Sequence, residues 1–330
     1  MSIKKKILFT GIIAAILVAG TFLIYNAFTH RTVDQNTRIV VVFKSLNEGM
    51  GFWEVVRSGI DEAAKEFGVK AEIVGPEYER DIIKQIDIVD QVISRKPEAI
   101  ILAANDYNAL VPSAQKIKKA GIKLITIDSG INSDLPQSFI ATDNVQAGMK
   151  AGRELAKLVG ASSPVVIVSH VKETATAIER EKGVREGLME NNVNNIEDTI
   201  YCENNKDIAY RLVKELFSSD TEIKGIACLN ETTTLGTARA IKELGLGGKI
   251  KLVGFDNSID EIKLLEQGVI QATVVQNPFN MGYTGIEMAI KAIKGEAVSK
   301  RIDTGSLLVT RSNMYNRENE KLLFPFVDQQ

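Results

Sequence analysis

The sequence predicts an α/β protein built from two successive doubly wound units, each a parallel sheet covered by helices on both faces. Three observations predict it. Short apolar runs rich in β-branched residues, such as Arg38-Ile-Val-Val-Val-Phe43, suit strands buried on both faces. These runs alternate with amphipathic helical patterns, which argues for right-handed βαβ units. The alternation then restarts about half-way along the 330 residues, a length sufficient for two medium domains.

The elements follow in order. After Arg38–Phe43, a two-glycine loop over Ser45–Gly51 leads to a helix with Trp53, Val56, Ile60, Ala63, Ala64 and Phe67 on one face, stopped at Gly68. Ala71–Val74, Ala99–Leu102 and Leu124–Ile127 read as strands. Helical patterns lie between them over Ile82–Ile93 and Leu110–Ile117. The second unit reads as helices at Ala147–Val159, Ala177–Met189, Ile208–Phe217 and Thr234–Leu244. Its strands are Val165–Val168, a weak one near Thr199–Cys202, Gly225–Leu229 and Leu252–Phe255. Ile259, Ile262 and Leu265 mark a further helix. Ala272–Gln276, Met281–Ile293 and Ser306–Thr310 then read as strand, helix and strand, before a polar tail that should lie on the second unit.

Four apolar strands end at once in a polar residue: Asp128, Asn230, Asp256 and Gln276. Ligands of open parallel sheets bind beyond the carboxyl ends of the strands. Those residues therefore stand at a rim, where each can hydrogen-bond a hydroxyl. A cleft lined by them fits a small polyol.

The amino terminus carries the localisation signal. Lys4-Lys5-Lys6 precedes Ile7–Tyr25, an uncharged run of 19 residues. That is longer than a signal-peptide core and close to the roughly 20 residues that span a bilayer. The lysines place the amino terminus inside and the rest of the chain outside. Thr21 stands where a lipoprotein would need cysteine. The expectation is an anchor or signal segment over residues 1–28, retained more readily than cleaved, and a tether over 29–37.

Composition excludes several classes. A net charge of −2 gives no basic surface for nucleic acid. Two histidines cannot build a histidine-rich zinc site, and no metal or cofactor is expected. Cys202 and Cys228 exclude a disulfide framework, while their own pairing stays open on spacing alone. There is no nucleophile elbow and no Walker loop. Gly245-Leu-Gly-Gly-Lys249 lacks the following Ser or Thr and reads as a turn. The chain is not expected to be an enzyme.

Seven segments in order resemble the periplasmic sugar-binding proteins of the ribose-binding type, which share a fold with LacI-like ligand domains. They are Gly51-Phe-Trp53, Ile125-Thr-Ile-Asp128, Ile140-Ala-Thr-Asp-Asn144, Thr174–Gly183, Leu229-Asn-Glu231, Val253-Gly-Phe-Asp256 and Ala272-Thr-Val-Val-Gln276. The resemblance implies the type I fold, two Rossmann-like lobes joined by a three-crossover hinge. Its lobes would be residues 38–142 plus 277–304 and 143–276 plus 305–330.

The resemblance also implies a site. Phe52 and Trp53 match an aromatic pair able to cover the C–H faces of a pyranose. Asp128 and Asp256 match two carboxylates, strong acceptors for hydroxyls. Arg180 matches an arginine with donors in a fixed fork. Asn230 and Gln276 match amides that donate and accept. Ser129 falls where the pattern has arginine, so one donor fork is missing. The first loop is longer and lacks an Asn-Pro, and an expected aromatic falls near Asn204 or Asn205. Ribose itself is therefore not carried over.

The same residues have ordinary uses. Phe52 and Trp53 suit a core, Asp128 and Asp256 suit helix caps, Arg180 suits a solvated helix face, and a lone His170 suits a structural role. The implied function is an extracytoplasmic monosaccharide-binding protein, with a pentose, xylose first, as the expected ligand. Its partner would be a sensor histidine kinase, favoured by the anchor as in membrane-anchored xylose-sensing proteins that pair with LytS-type kinases, or the permease of an ABC importer. A repressor ligand domain would need a DNA-binding segment where the apolar run stands. A glycosidase would need Asp128 and Asp256 to move protons, whereas their donor and amide neighbours fit grip better.

Overall fold

A computed structural model describes residues 37–46, 50–219 and 221–323. The expected anchor lies outside them, and so does the expected tether apart from Thr37. Among the described residues no helix is long and apolar enough to cross a membrane.

In chain order the first elements are β1 (Arg38–Val42), α1 (Met50–Phe67), β2 (Lys70–Val74), α2 (Ile82–Ser94), β3 (Ala99–Leu102), α3 (Val111–Lys119), β4 (Lys123–Ile127) and β5 (Ser138–Ala141). There follow α4 (Asn144–Val159), β6 (Val165–Ser169), α5 (Ala175–Met189), β7 (Ile200–Tyr201), α6 (Lys206–Leu216), β8 (Gly225–Cys228), α7 (Glu231–Glu243), β9 (Lys251–Phe255), α8 (Ile259–Glu266) and β10 (Ala272–Gln276). The chain continues with α9 (Pro278–Lys294), β11 (Arg301–Asp303), β12 (Ser306–Thr310) and α10 (Arg317–Leu323).

Two six-stranded sheets result, in the orders β11-β5-β4-β3-β1-β2 and β12-β10-β9-β8-β6-β7. Pairing is parallel except between β10 and β12. The chain passes between the sheets three times, after β5, β10 and β11. The two orders are superimposable in sequence rank, so β4 and β9 hold the same place in their sheets.

The apolar strands are buried on both faces, as their sequence requires. Ile39, Val41 and Ile101 pack under α1 and α9 with Val56, Ile60 and Ile286. Val40, Val42, Ile100 and Leu102 point the other way and pack with Val89, Val92 and Ile117 of α2 and α3. In the second lobe α4 and α5 cross closely because both carry glycine at the contact. A Cβ added to Gly183 would lie 2.1 Å from the Val145 carbonyl oxygen. This close crossing brings Arg180 of α5 beside Asn144 of α4.

Two features depart from the sequence expectation, and the open question of the two cysteines is answered. The short strands β5 and β11, the latter at the sheet edge, carry Ser138, Arg301 and Asp303 and do not register as apolar runs. The polar tail includes α10, whose Leu323 is buried in the second-lobe core. Cys202 and Cys228 are separate buried thiols.

Candidate functional site

Asp128 follows β4 and Asp256 follows β9, and both have left-handed backbones, with φ of 57° and 75°. Such a conformation is uncommon outside glycine and is least unfavourable for Asp and Asn. Each amide donates to the next strand in its sheet: Asp128 to the Ile140 carbonyl and Asp256 to the Val274 carbonyl, both at 3.0 Å. The turn ends the strand and aims each carboxylate at the other lobe.

Between the lobes lies a cavity with about 420 Å³ of empty space. Its wall includes Phe52, Trp53, Asp128, Arg180, Asn230, Asp256 and Gln276. Ser129 is not part of the wall. Its amide folds back on the Ile127 carbonyl at 2.6 Å, and its hydroxyl is buried without a hydrogen-bond partner among the described residues.

The first lobe contributes a buried ion cluster. Lys44 Nζ lies 3.0 Å from Glu79 Oε1 and 3.1 Å from Asp128 Oδ2. Burial opposes the Lys44 ammonium, but Asp128 and Glu79 outweigh it and hold its pKa above the ordinary value. Lys44 therefore stays charged and supplies the cation that Ser129 does not. Phe52 meets Trp53 edge-on at 5.2 Å, and Trp53 leans on Phe43 at 4.4 Å. Trp53 thus serves the core and the cavity wall together.

The second lobe holds Arg180 by three bonds. Nε donates to Asn144 Oδ1 at 2.8 Å, one terminal nitrogen to the Leu229 carbonyl at 2.8 Å, and the other to Gln276 Oε1 at 2.9 Å. A guanidinium has five N–H donors, so about two remain for a ligand. The guanidinium also lies over the Phe255 ring at 4.8 Å. Gln276 Nε2 donates to Asp256 Oδ1 at 2.6 Å, and the Glu231 amide donates to Asp256 Oδ2 at 3.0 Å. Burial raises the Asp256 pKa, with Arg180 and the Gln276 hydrogen bond acting against it. Asp256 does not cap the following helix; Ser258 does. Asn230 caps α7 through the Thr233 amide and faces the cavity as well.

Lys44, Glu79, His170, Thr176, Asn204, Glu231 and Thr232 complete the wall. His170 Nε2 lies 3.0 Å from Thr176 Oγ1. Burial, then Lys44 and Arg180, push its pKa well below the ordinary value, so the ring is neutral. The lobes touch directly. Asn204 Nδ2 donates to Glu79 Oε2 at 2.8 Å and the Tyr107 amide donates to the Glu173 carbonyl at 2.9 Å; within the second lobe, Asn230 Nδ2 donates to Asn204 Oδ1 at 2.7 Å and steadies it. At the position where an aromatic is expected, Asn204 thus makes a polar clasp between lobes.

Cations, carboxylates and amides that alternate donors with acceptors, beside an aromatic pair, match the surface of a polyhydroxylated ring. A family model described as a periplasmic binding protein domain matches residues 39–297. The chain belongs to this family. It is 28% identical over 267 residues to the D-allose-binding periplasmic protein of Escherichia coli K12, covering 78% of this chain and 85% of that one. An ABC transporter solute binding protein of Agrobacterium vitis, solved with bound D-fucose, superimposes with a TM-score of 0.82 at 32% identity, covering 87% of this chain and 99% of that one. A sugar transporter of Clostridium phytofermentans gives a TM-score of 0.78 at 41% identity, covering 83% and 99%. As a periplasmic binding protein of the type I fold, the chain places its cavity where the two lobes meet.

Proposed function

We propose that this chain binds a monosaccharide between its lobes outside the cytoplasm and delivers it to the permease of an ABC importer. The observation that carries the reading is the cavity wall itself. Phe52 and Trp53 offer apolar faces, while Asp128, Asp256, Arg180, Asn230, Gln276, Lys44 and Glu79 offer charged and amide groups around the same space. The two lobes, residues 38–142 plus 277–304 and 143–276 plus 305–330, move as bodies about the three crossovers and close on the sugar. The names of the relatives, a D-allose-binding protein and an ABC transporter solute binding protein, support an importer. They favour it over the kinase partner and the xylose ligand that the amino-terminal segment suggested. The second reading, a tethered sensor for a histidine kinase, rests on one sequence feature: a membrane-length apolar run with Thr21 where a lipid-anchoring cysteine would stand.

Trp53 is the single tryptophan of the chain and sits in the wall. Its fluorescence therefore reports occupancy directly. Titration of the full chain with D-allose, D-fucose, D-ribose and D-xylose should give a saturable change with at least one sugar. A flat response to all four, with a folded protein, contradicts the reading. Sugar uptake that requires both this chain and a permease separates importer from sensor.

A further inference from the structure

Glu231, the first residue of α7, is given no ligand role by the family resemblance, yet it lines both the cavity and the groove that leads out of it. Its amide is fixed to Asp256, as described. Its side chain crosses to the other lobe: a Cβ added to Gly51, in the first turn of α1, would lie 3.3 Å from Glu231 Oε2. The carboxylate, on a residue of intermediate exposure, is thus partly covered by the other lobe, at a residue whose missing side chain makes the room.

The surroundings of Glu231 are acidic. Asp256 faces it from the end of β9, and Glu261 and Asp260 face it from α8. Lys206, at the start of α6, is the cation that acts on it; the Ser258 hydroxyl donates to Glu261 Oε2 at 3.2 Å. From the first lobe, Gly51 and Phe52 bring no ionisable group, while Glu54 of α1 and Tyr78 line the same groove. Glu261 is 1% exposed; its Oε2 accepts from the Ser258 amide at 2.9 Å, and its Oε1 has no hydrogen-bond partner among the described residues. Three carboxyl groups, two of them buried, therefore share a corner with too few donors for all to be ionised.

We propose that Glu231 is a further ligand-facing group of this cleft, and that it takes up a proton as the lobes close on the ligand. Protonated, it offers a hydroxyl donor to a sugar oxygen at a wall that otherwise presents the Asp256 acceptor. This rests on the reading of the cleft as a sugar site. Burial, and next Asp256, bring the closed-state pKa to about 7, against an ordinary value of 4.5 for a solvated side chain. By linkage, a group with those two values favours closure about tenfold more at pH 6 than at pH 8. His170 acts in the opposite sense, since closure keeps it neutral, so the informative quantity is the difference between wild type and Glu231→Gln.

The test uses spin labels on the full chain at Ile83→Cys in the first lobe and Met189→Cys in the second, both exposed positions, with Cys202 and Cys228 buried. Without sugar, the ratio of short to long distances should rise about tenfold more from pH 8 to pH 6 in wild type than in Glu231→Gln. Equal pH dependence in the two proteins, or none in either, overturns the proposal. In parallel, calorimetry with the four sugars in two buffers of different protonation enthalpy should show proton uptake at pH 6 that Glu231→Gln loses. Sugar binding without that uptake overturns the proposal and leaves the sugar reading intact. Glu231-dependent closure in the spin-label assay, together with calorimetry in which none of the four sugars binds, refutes the sugar reading and leaves the proton uptake standing.

Discussion

Replacing Arg180 by alanine tests how the second-lobe wall is held. Arg180 is 3% exposed and satisfies Asn144 Oδ1, the Leu229 carbonyl and Gln276 Oε1 at 2.8–2.9 Å. Each buried acceptor left without a donor costs about 1–3 kcal/mol. Three of them would sum to about 3–9 kcal/mol if nothing relaxed. Water can enter the vacated space and rebond some of them, which brings the expected loss to about 3–5 kcal/mol, the range for breaking a buried ionic network. Asp256 also loses its nearest cationic support, so its carboxyl protonates more readily. The assay is urea unfolding of wild type, Arg180→Ala and Arg180→Lys, followed by calorimetry with the bound sugar. Lysine keeps the charge but cannot fork to three acceptors, so it should fall between the other two. An Arg180→Ala protein within about 1 kcal/mol of wild type would mean that the three bonds are not what holds this wall, and the reasoning fails.

Other consequences are independent of the ligand. Gly183→Ala would set a methyl 2.1 Å from the Val145 carbonyl oxygen, pushing α5 off α4. It should cost about 1–3 kcal/mol in urea unfolding and weaken sugar binding by displacing Arg180; unchanged stability refutes the close-crossing account. His170 is held neutral in the fold, with its pKa lowered well below 6.5. Below pH 6.5 the unfolded chain thus binds a proton that the native one does not. Stability should fall on acidification through that range by up to about 1.4 kcal/mol per pH unit, and His170→Asn should lose this part of the slope. Burial raises the Cys202 thiol pKa to about 11 and the Cys228 thiol further, so a thiol reagent should modify neither until the protein unfolds.

The sheet plan was legible because buried parallel strands are written as apolar runs, and the rim residues because they end such runs. Lys44 obeys the same rule, directly after Phe43, and the rule could have found it. His170 likewise follows β6. Glu79, Thr176 and Asn204 could not be found in this way. They sit on loops or at a helix start, and they matter only because closure brings Glu79 of one lobe to Asn204 of the other at 2.8 Å. Ser129 misled because the position was read from a family pattern, whereas the left-handed turn at Asp128 ends the strand's alternation and leaves the next side chain buried. Strand β11 escaped because an edge position does not demand an apolar run, and β5 because its 4 residues are too short to read as one.

The central claim is that one sugar is held between the lobes by charged groups of both. The most direct measurement is isothermal titration of the full chain against pentoses and hexoses, with Asp128→Ala and Asp256→Ala beside it. One carboxylate comes from each lobe. The account predicts a sugar that binds at micromolar affinity or tighter, and a loss of at least about a hundredfold in each variant, about 2.7 kcal/mol. A sugar that binds wild type and both variants equally would contradict the site. A folded protein that binds none of them would contradict the function.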